Sequence, residues 1–232
     1  TYGGATTDQF NSIQELRDKH KIYIELATGG GKSYIVFNIL KEFRPDVIVI
    51  FSPRKKINEQ NMDERYLSLL EDKYETFNMS SEISPTPFLK KTGKKIIICC
   101  SQSAKRLHYH LTKSQYNFKD VMVWYDEAHW GFGEWLNEEN EKYYTQDKDG
   151  TSVSFKKFWL EDNNMITNRV FVSASPNHKL AEKKENVYGR LLNHITVSEL
   201  IKEKWLCPII PHSFELDKNS EEIQILKYIF QD

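Results

Sequence analysis

Five short apolar runs, each bounded by polar or glycine-rich sequence, most restrict how this chain can fold. They are IYIELA (22–27), VIVIFS (47–52), KIIICCS (95–101), VMVWYDE (121–127) and RVFVSAS (169–175). A strand with one wet face alternates apolar and polar residues. A continuous, β-branched run is the pattern of a strand covered on both faces. Between the runs lie helix-prone stretches: Lys32 to Phe43, stopped by Pro45, then about Lys56 to Leu70, then QSAKRLHYHL (102–111). Strands alternating with helices predict βαβ units, hence an α/β fold with a mostly parallel sheet and helices on both faces. Ligands of such sheets bind beyond the carboxyl ends of the strands. Polar, chemistry-bearing residues directly follow four of the runs.

The first of these places is IELATGGGKSYIVFNIL (24–40), which concentrates three of the chain's 10 glycines in one turn. A strand, a glycine-rich turn, Gly-Lys-Ser and a helix form the context of a phosphate loop. Glycines adopt positive φ and let backbone N–H groups curl around an anion, and the new helix adds its free amides. Thr28, Gly29, Gly30 and Gly31 would form the cradle. Lys32 would reach the β- and γ-phosphates, and Ser33 would place its hydroxyl on Mg²⁺. The strict pattern wants glycine five residues before Gly31, where this chain has Leu26. The competing reading is a glycine turn beside a solvent-facing lysine.

The second place is VWYDEAH (123–129). An ATP-hydrolysing site needs an acid near Mg²⁺ and a group that orients the attacking water. Asp126 suits the first task and Glu127 the second. Two adjacent carboxylates repel, so a cation is expected beside them. The alternative is a surface turn with His129 capping a helix. The third place, FVSASPN (171–177), offers the Ser173 and Ser175 hydroxyls to His129 or to the acid pair. Alone it reads equally as an ordinary strand exit before Pro176.

Bulk properties narrow the partners only slightly. Lys and Arg number 32 against 33 Asp and Glu, a net charge of −1, so any surface for a polyanion must be local. Cys99 and Cys100 adjoin in an apolar run and Cys207 is remote. With no Cys-x-x-Cys spacing, buried reduced thiols of an intracellular protein are expected rather than zinc or disulfides. No apolar run approaches the roughly 18 residues of a membrane span. The first residue is Thr1 rather than Met, so the chain reads as processed or excised. A Lys-, Asn- and Ile-rich composition points toward an AT-biased genome, viral or plasmid-borne.

The three motifs, in this order, resemble the first RecA-like lobe of superfamily 2 DEAH-type helicases and translocases, a P-loop NTPase fold. ATGGGKS (27–33) is similar to motif I, DEAH (126–129) to motif II and SAS (173–175) to motif III. The restriction-enzyme-like branch, that of type I and type III restriction subunits, often carries Met-Ala-Thr-Gly-x-Gly-Lys-Thr. Leu26 to Ser33 resembles that version, and SASPN resembles its Thr-Ala-Thr-Pro. The likeness covers nearly the whole chain. It implies an ATP-binding lobe over 1–205, with an insertion at about 130–165, and an exit segment over 206–232.

Weaker matches extend the resemblance. DQFNSIQEL (8–16) is similar to the adenine-reading glutamine motif and implies that role for Gln9; a polar helix start is the alternative. FSPRKKINEQ (51–60) resembles motif Ia, which implies that Pro53, Arg54 and Lys55 follow a nucleic-acid backbone; a solvated basic turn is the alternative. CCSQSAKRL (99–107) resembles the next strand-contacting motif, with Ser101 and Gln102 as donors. His129, Ser173 and Ser175 would couple nucleotide state to the grip on the strand. The family's second RecA-like lobe carries an arginine finger worth about 10³–10⁵ in rate, so this chain alone is expected to hydrolyse ATP poorly.

The implied activity is ATP- and Mg²⁺-dependent movement on nucleic acid, with DNA favoured over RNA. An RNA helicase of the same superfamily and a non-motor P-loop ATPase switch are the alternatives. Within 130–165, Trp130, Phe132 and Trp135 read as core of the insertion or as base-stacking residues, and the segment as part loop, part helix at the sheet's ligand edge. His108 and His110 read as helix-surface residues. The helix SELIKEK (198–204) is expected to lead into a proline-interrupted strand.

Overall fold

The computed structural model describes residues 12–79, 84–113, 120–129, 144–146, 150–161, 166–175, 185–195, 197–204 and 206–207. Gln9, the aromatics of 130–143 and the proline-interrupted strand lie outside the described residues.

All five apolar runs are strands: β1 (Lys21–Leu26), β2 (Val47–Ser52), β4 (Lys94–Cys100), β5 (Val121–Tyr125) and β8 (Ile166–Ser173). Two further strands, β3 (Tyr74–Asn78) and β9 (Arg190–Ile195), complete a seven-stranded sheet in the order β3-β4-β2-β5-β8-β1-β9. Every neighbouring pair in it is parallel. β2 and β5 are buried along their whole length, as continuous apolar runs require. A separate antiparallel pair joins β6 (Tyr144–Gln146) to β7 (Ser152–Ser154).

Side chains alternate across the sheet, so each strand feeds two cores. One holds Ile22, Ile24, Ile48, Ile50, Met122 and Trp124 under α1 (12–19) and α2 (Lys32–Phe43). The other holds Tyr23, Val49, Phe51, Val123, Tyr125 and Phe171. It is covered by α5 (Thr86–Lys90), α6 (Ala104–Lys113), α7 (Phe155–Leu160) and α8 (Glu185–Tyr188). The helix expected over 198–204 appears as α9 (Val197–Lys202). No helix among the described residues is long and apolar enough to cross a membrane.

Several local expectations need correction. The polar stretch 56–70 is two short helices, α3 (Lys55–Asn61) and α4 (Glu64–Leu67). Asp63 separates them because its side chain accepts from the Arg65 amide and caps α4. His108 is fully buried, not on the surface; its ring lies 4.8 Å from that of Phe158, and burial pushes its pKa down to about 4. Cys99 and Cys100 are buried thiols, but Cys207 is exposed.

The segment read as an insertion is not confined to the ligand edge. Phe155, Phe158, Trp159 and Leu160 of α7 are buried under the sheet, with the Trp159 ring edge-on to Phe51 at 4.9 Å. Arg169, fully buried in the middle of β8, holds that helix end. Its guanidinium donates to the carbonyls of Trp159 at 2.7 Å, Phe158 at 3.4 Å and Glu161. These are carbonyls a helix C-terminus leaves without an intrahelical partner. Arg169→Met is therefore expected to cost on the order of 2–4 kcal/mol in denaturant unfolding. Unchanged stability would show that these carbonyls are satisfied otherwise.

Candidate functional site

The sheet's carboxyl edge gathers the sequence motifs. β1 ends at Leu26, and the chain turns through a hydrogen bond from the Gly30 amide to the Ala27 carbonyl at 2.9 Å. Leu26 is 1% exposed and points into the core. A Cβ on Gly30 would lie 2.9 Å from Leu26 Cγ and 3.0 Å from the Ala27 carbonyl, so the turn packs closely over both at this position. Gly31 starts α2 at φ 91°, in the left-handed region, with no side-chain hydrogen bond capping the helix. The first amides of α2 thus face the loop without a side-chain cap, which is the arrangement of an anion cradle. Lys32 Nζ lies 3.4 Å from the Leu26 carbonyl, folded back over the turn.

The acid pair sits where β5 runs out. The Asp126 amide still donates to Phe51 of β2 at 2.8 Å, and the Ala128 amide donates to Val172 of β8 at 2.8 Å. The turn is therefore pinned to both neighbouring strands. Between these two bonds Glu127 has φ 49°, a conformation that non-glycine residues seldom adopt and that clusters at working sites. Asp126 is 6% exposed. Its carboxylate accepts from the Glu127 amide at 3.1 Å and from Asn61 Nδ2 at 3.3 Å. Burial pushes its pKa up to about 6, and the Glu127 charge adds to that, while Asn61 and Lys32 pull it down.

Lys32, Ser33, Asp126 and Glu127 line one cleft of about 350 Å³, with Ile57, Gln60, Asn61, Arg65 and Tyr66 as the opposite wall. A hydroxyl and a carboxylate are hard oxygen ligands, which suit Mg²⁺. That ion is commonly held by one or two carboxylates plus substrate phosphates and water. Behind the acid pair, His129 Nδ1 lies 2.7 Å from Ser173 Oγ and 3.5 Å from Glu127 Oε2. Ser173 Oγ also accepts from the Ser175 amide at 3.0 Å and bonds Tyr23.

The two strand-contact candidates leave the sheet side by side, because Ser52 of β2 is paired with Cys100 of β4. Arg54, Lys55 and Gln102 are exposed; Pro53 and Ser101 are half-buried. Sequence reasoning did not single out Asn58 and Asn61, which are 0% and 2% exposed. Their spacing of three, on one face of α3, was the available signal.

The fold is that of RecA-like helicase lobes. Similar solved structures include a nuclease-deletion mutant of the Type ISP restriction-modification enzyme LlaGI, in complex with a DNA substrate mimic. It is 13% identical with a TM-score of 0.60, over 88% of this chain and 20% of that one. The UvsW helicase from bacteriophage T4 is 13% identical with a TM-score of 0.53, over 80% of this chain and 58% of that one. A DEAD box protein from the hyperthermophile Methanococcus jannaschii is 17% identical with a TM-score of 0.51, over 97% of this chain and 56% of that one. The chain spans less than two thirds of each. No curated protein sequence matches it. The chain belongs to the family of the type III restriction enzyme res subunit, whose model matches residues 5–148. It thus stands near the restriction-enzyme branch of superfamily 2, as its motifs implied.

A carboxyl with a raised folded pKa contributes stability below its unfolded value of 3.8 and loses it as pH rises through about 6. At neutral pH the buried charge then costs on the order of 2–3 kcal/mol. Asp126→Asn removes the charge, and Asn61 can turn its amide to match. In metal-free buffer the variant is expected to gain melting temperature relative to the wild type between about pH 4 and pH 7. A difference independent of pH would contradict this burial account.

Proposed function

We propose that this chain is an ATP-dependent motor lobe acting on nucleic acid, of the DEAH helicase and translocase type. The observation that carries the reading is the convergence of Lys32, Ser33, Asp126 and Glu127 on one cleft at the sheet's carboxyl edge. Lys32 and the amides from Thr28 through Gly31 hold the phosphates, and Gln9 reads the adenine. Ser33 and Asp126 would hold Mg²⁺, which neutralises charge on the β- and γ-oxygens.

Glu127 orients a water and takes its proton as the water oxygen bonds to the γ-phosphorus. The bond to the bridging oxygen breaks, and ADP departs with that oxygen. His129 links the acid pair to Ser173, so nucleotide state can reach the exit of β8. Pro53, Arg54 and Lys55, with Ser101 and Gln102, follow a strand's phosphates. Those contacts give grip without reading sequence. The resemblance of Leu26–Ser33 to the restriction branch favours DNA over RNA. A second RecA-like lobe supplies the arginine finger and closes on the nucleotide.

Turnover of the intact protein, with and without single-stranded and duplex DNA and RNA, tests the reading. Strong stimulation by DNA is expected, and Glu127→Gln should lower turnover by about 10²-fold or more. Stimulation by RNA alone would point to an RNA helicase. Turnover indifferent to every nucleic acid would leave a non-motor ATPase switch.

A further inference from the structure

Asn61 is an uncharged polar side chain, 2% exposed, on a polar helix in which Asn58 is the other buried residue. Burying an amide is costly unless it is hydrogen-bonded, and its partner here is Asp126 Oδ2 at 3.3 Å. The helix that carries it is fastened at its other end. The Ser52 hydroxyl donates to Asn58 Oδ1 and lies 3.1 Å from the Arg54 carbonyl. Asn58 Nδ2 in turn donates to Cys100 Sγ at 3.7 Å. α3 therefore starts from the Arg54–Lys55 turn, is tied to the last residues of β2 and β4, and ends on the buried acid. It contains neither glycine nor proline, and its seven residues span about 10 Å.

We propose that Asn61 is a positioning residue for Asp126, and that α3 carries engagement of the Pro53–Lys55 turn to the acid pair. This rests on the motor reading given above. The choice of an amide has a physical reason. A neutral donor fixes one carboxylate oxygen in direction without cancelling its charge, so Asp126 keeps its attraction for a cation. A lysine in that place would neutralise it. Gln60 and Asn61 also form part of the cleft wall, so a displacement of α3 changes the cleft and the acid together. Carboxylates that ligate metals depend on such hydrogen-bonding partners for orientation.

Asn61→Ala and the bulkier Asn61→Leu, made in the intact protein, test this. Both are expected to bind an ATP analogue in the absence of Mg²⁺, and to bind nucleic acid, as the wild type does. The Mg²⁺ concentration for half-maximal turnover should rise about tenfold. The ratio of nucleic-acid-stimulated to basal turnover should fall about tenfold. A merely structural role would lower nucleotide binding and nucleic-acid binding alike. A wild-type Mg²⁺ requirement together with wild-type stimulation in both variants would overturn the proposal. If the wild type is stimulated by no nucleic acid, the motor reading fails, while the Mg²⁺ shift still tests the positioning of Asp126. Should both variants melt, hydrogen exchange of residues 55–61 in the wild type decides. Protection that responds both to nucleic acid and to Mg²⁺-ATP is expected, and protection indifferent to either overturns the coupling.

Discussion

The site depends on a sheet that is dry on both faces. β2 and β5 are buried along their whole length and carry no charged side chain, so charged chemistry is displaced to where the strands end. Asp126 marks that limit. Its amide still belongs to the ladder, donating to Phe51, while its carboxylate is the first polar side chain past β5. A carboxylate so placed is mostly shielded from water and cannot relax away. Its pKa rises for that reason, and its remaining partners, Glu127 N–H and Asn61, hold it in one direction. A buried, oriented and electrostatically unfavourable charge has much to gain from a cation.

The glycine turn follows the same logic from β1. Leu26 remains in the core, and the turn above it leaves little room for a Cβ at residue 30. The leucine that stands where the strict pattern has glycine is buried beneath the turn, and Gly30 packs closely over its side chain and over the Ala27 carbonyl. Because β1 and β5 flank β8, the exits of all three strands adjoin, which brings Ser173 against His129 and ties the third motif to the second.

The five inner strands were legible because burial on both faces forces continuous apolar runs. The two edge strands were not. β3 reads YETFN with Glu75 exposed, and β9 begins with an exposed Arg190, as suits strands with one open edge. The residues of the cleft's near wall were legible from motif chemistry; the far wall, on α3 and α4, was not. A polar sequence such as KKINEQN reads as a solvated helix, and the spacing of three that puts Asn58 and Asn61 on one face does not say that this face turns inward. His108 was readable. Ala104, Leu107, His108 and Leu111 follow the spacing of a buried helical face, and all four are buried.

The central claim is that the cleft between α2, α3 and the end of β5 is a nucleotide site that uses Lys32. Calorimetric titration of the intact protein with ATP and Mg²⁺, beside Lys32→Ala, tests it most directly. The account predicts one binding event that weakens about tenfold or more when the lysine is lost, since a charge-assisted contact to phosphate goes with it. Equal affinity in the two proteins would contradict it.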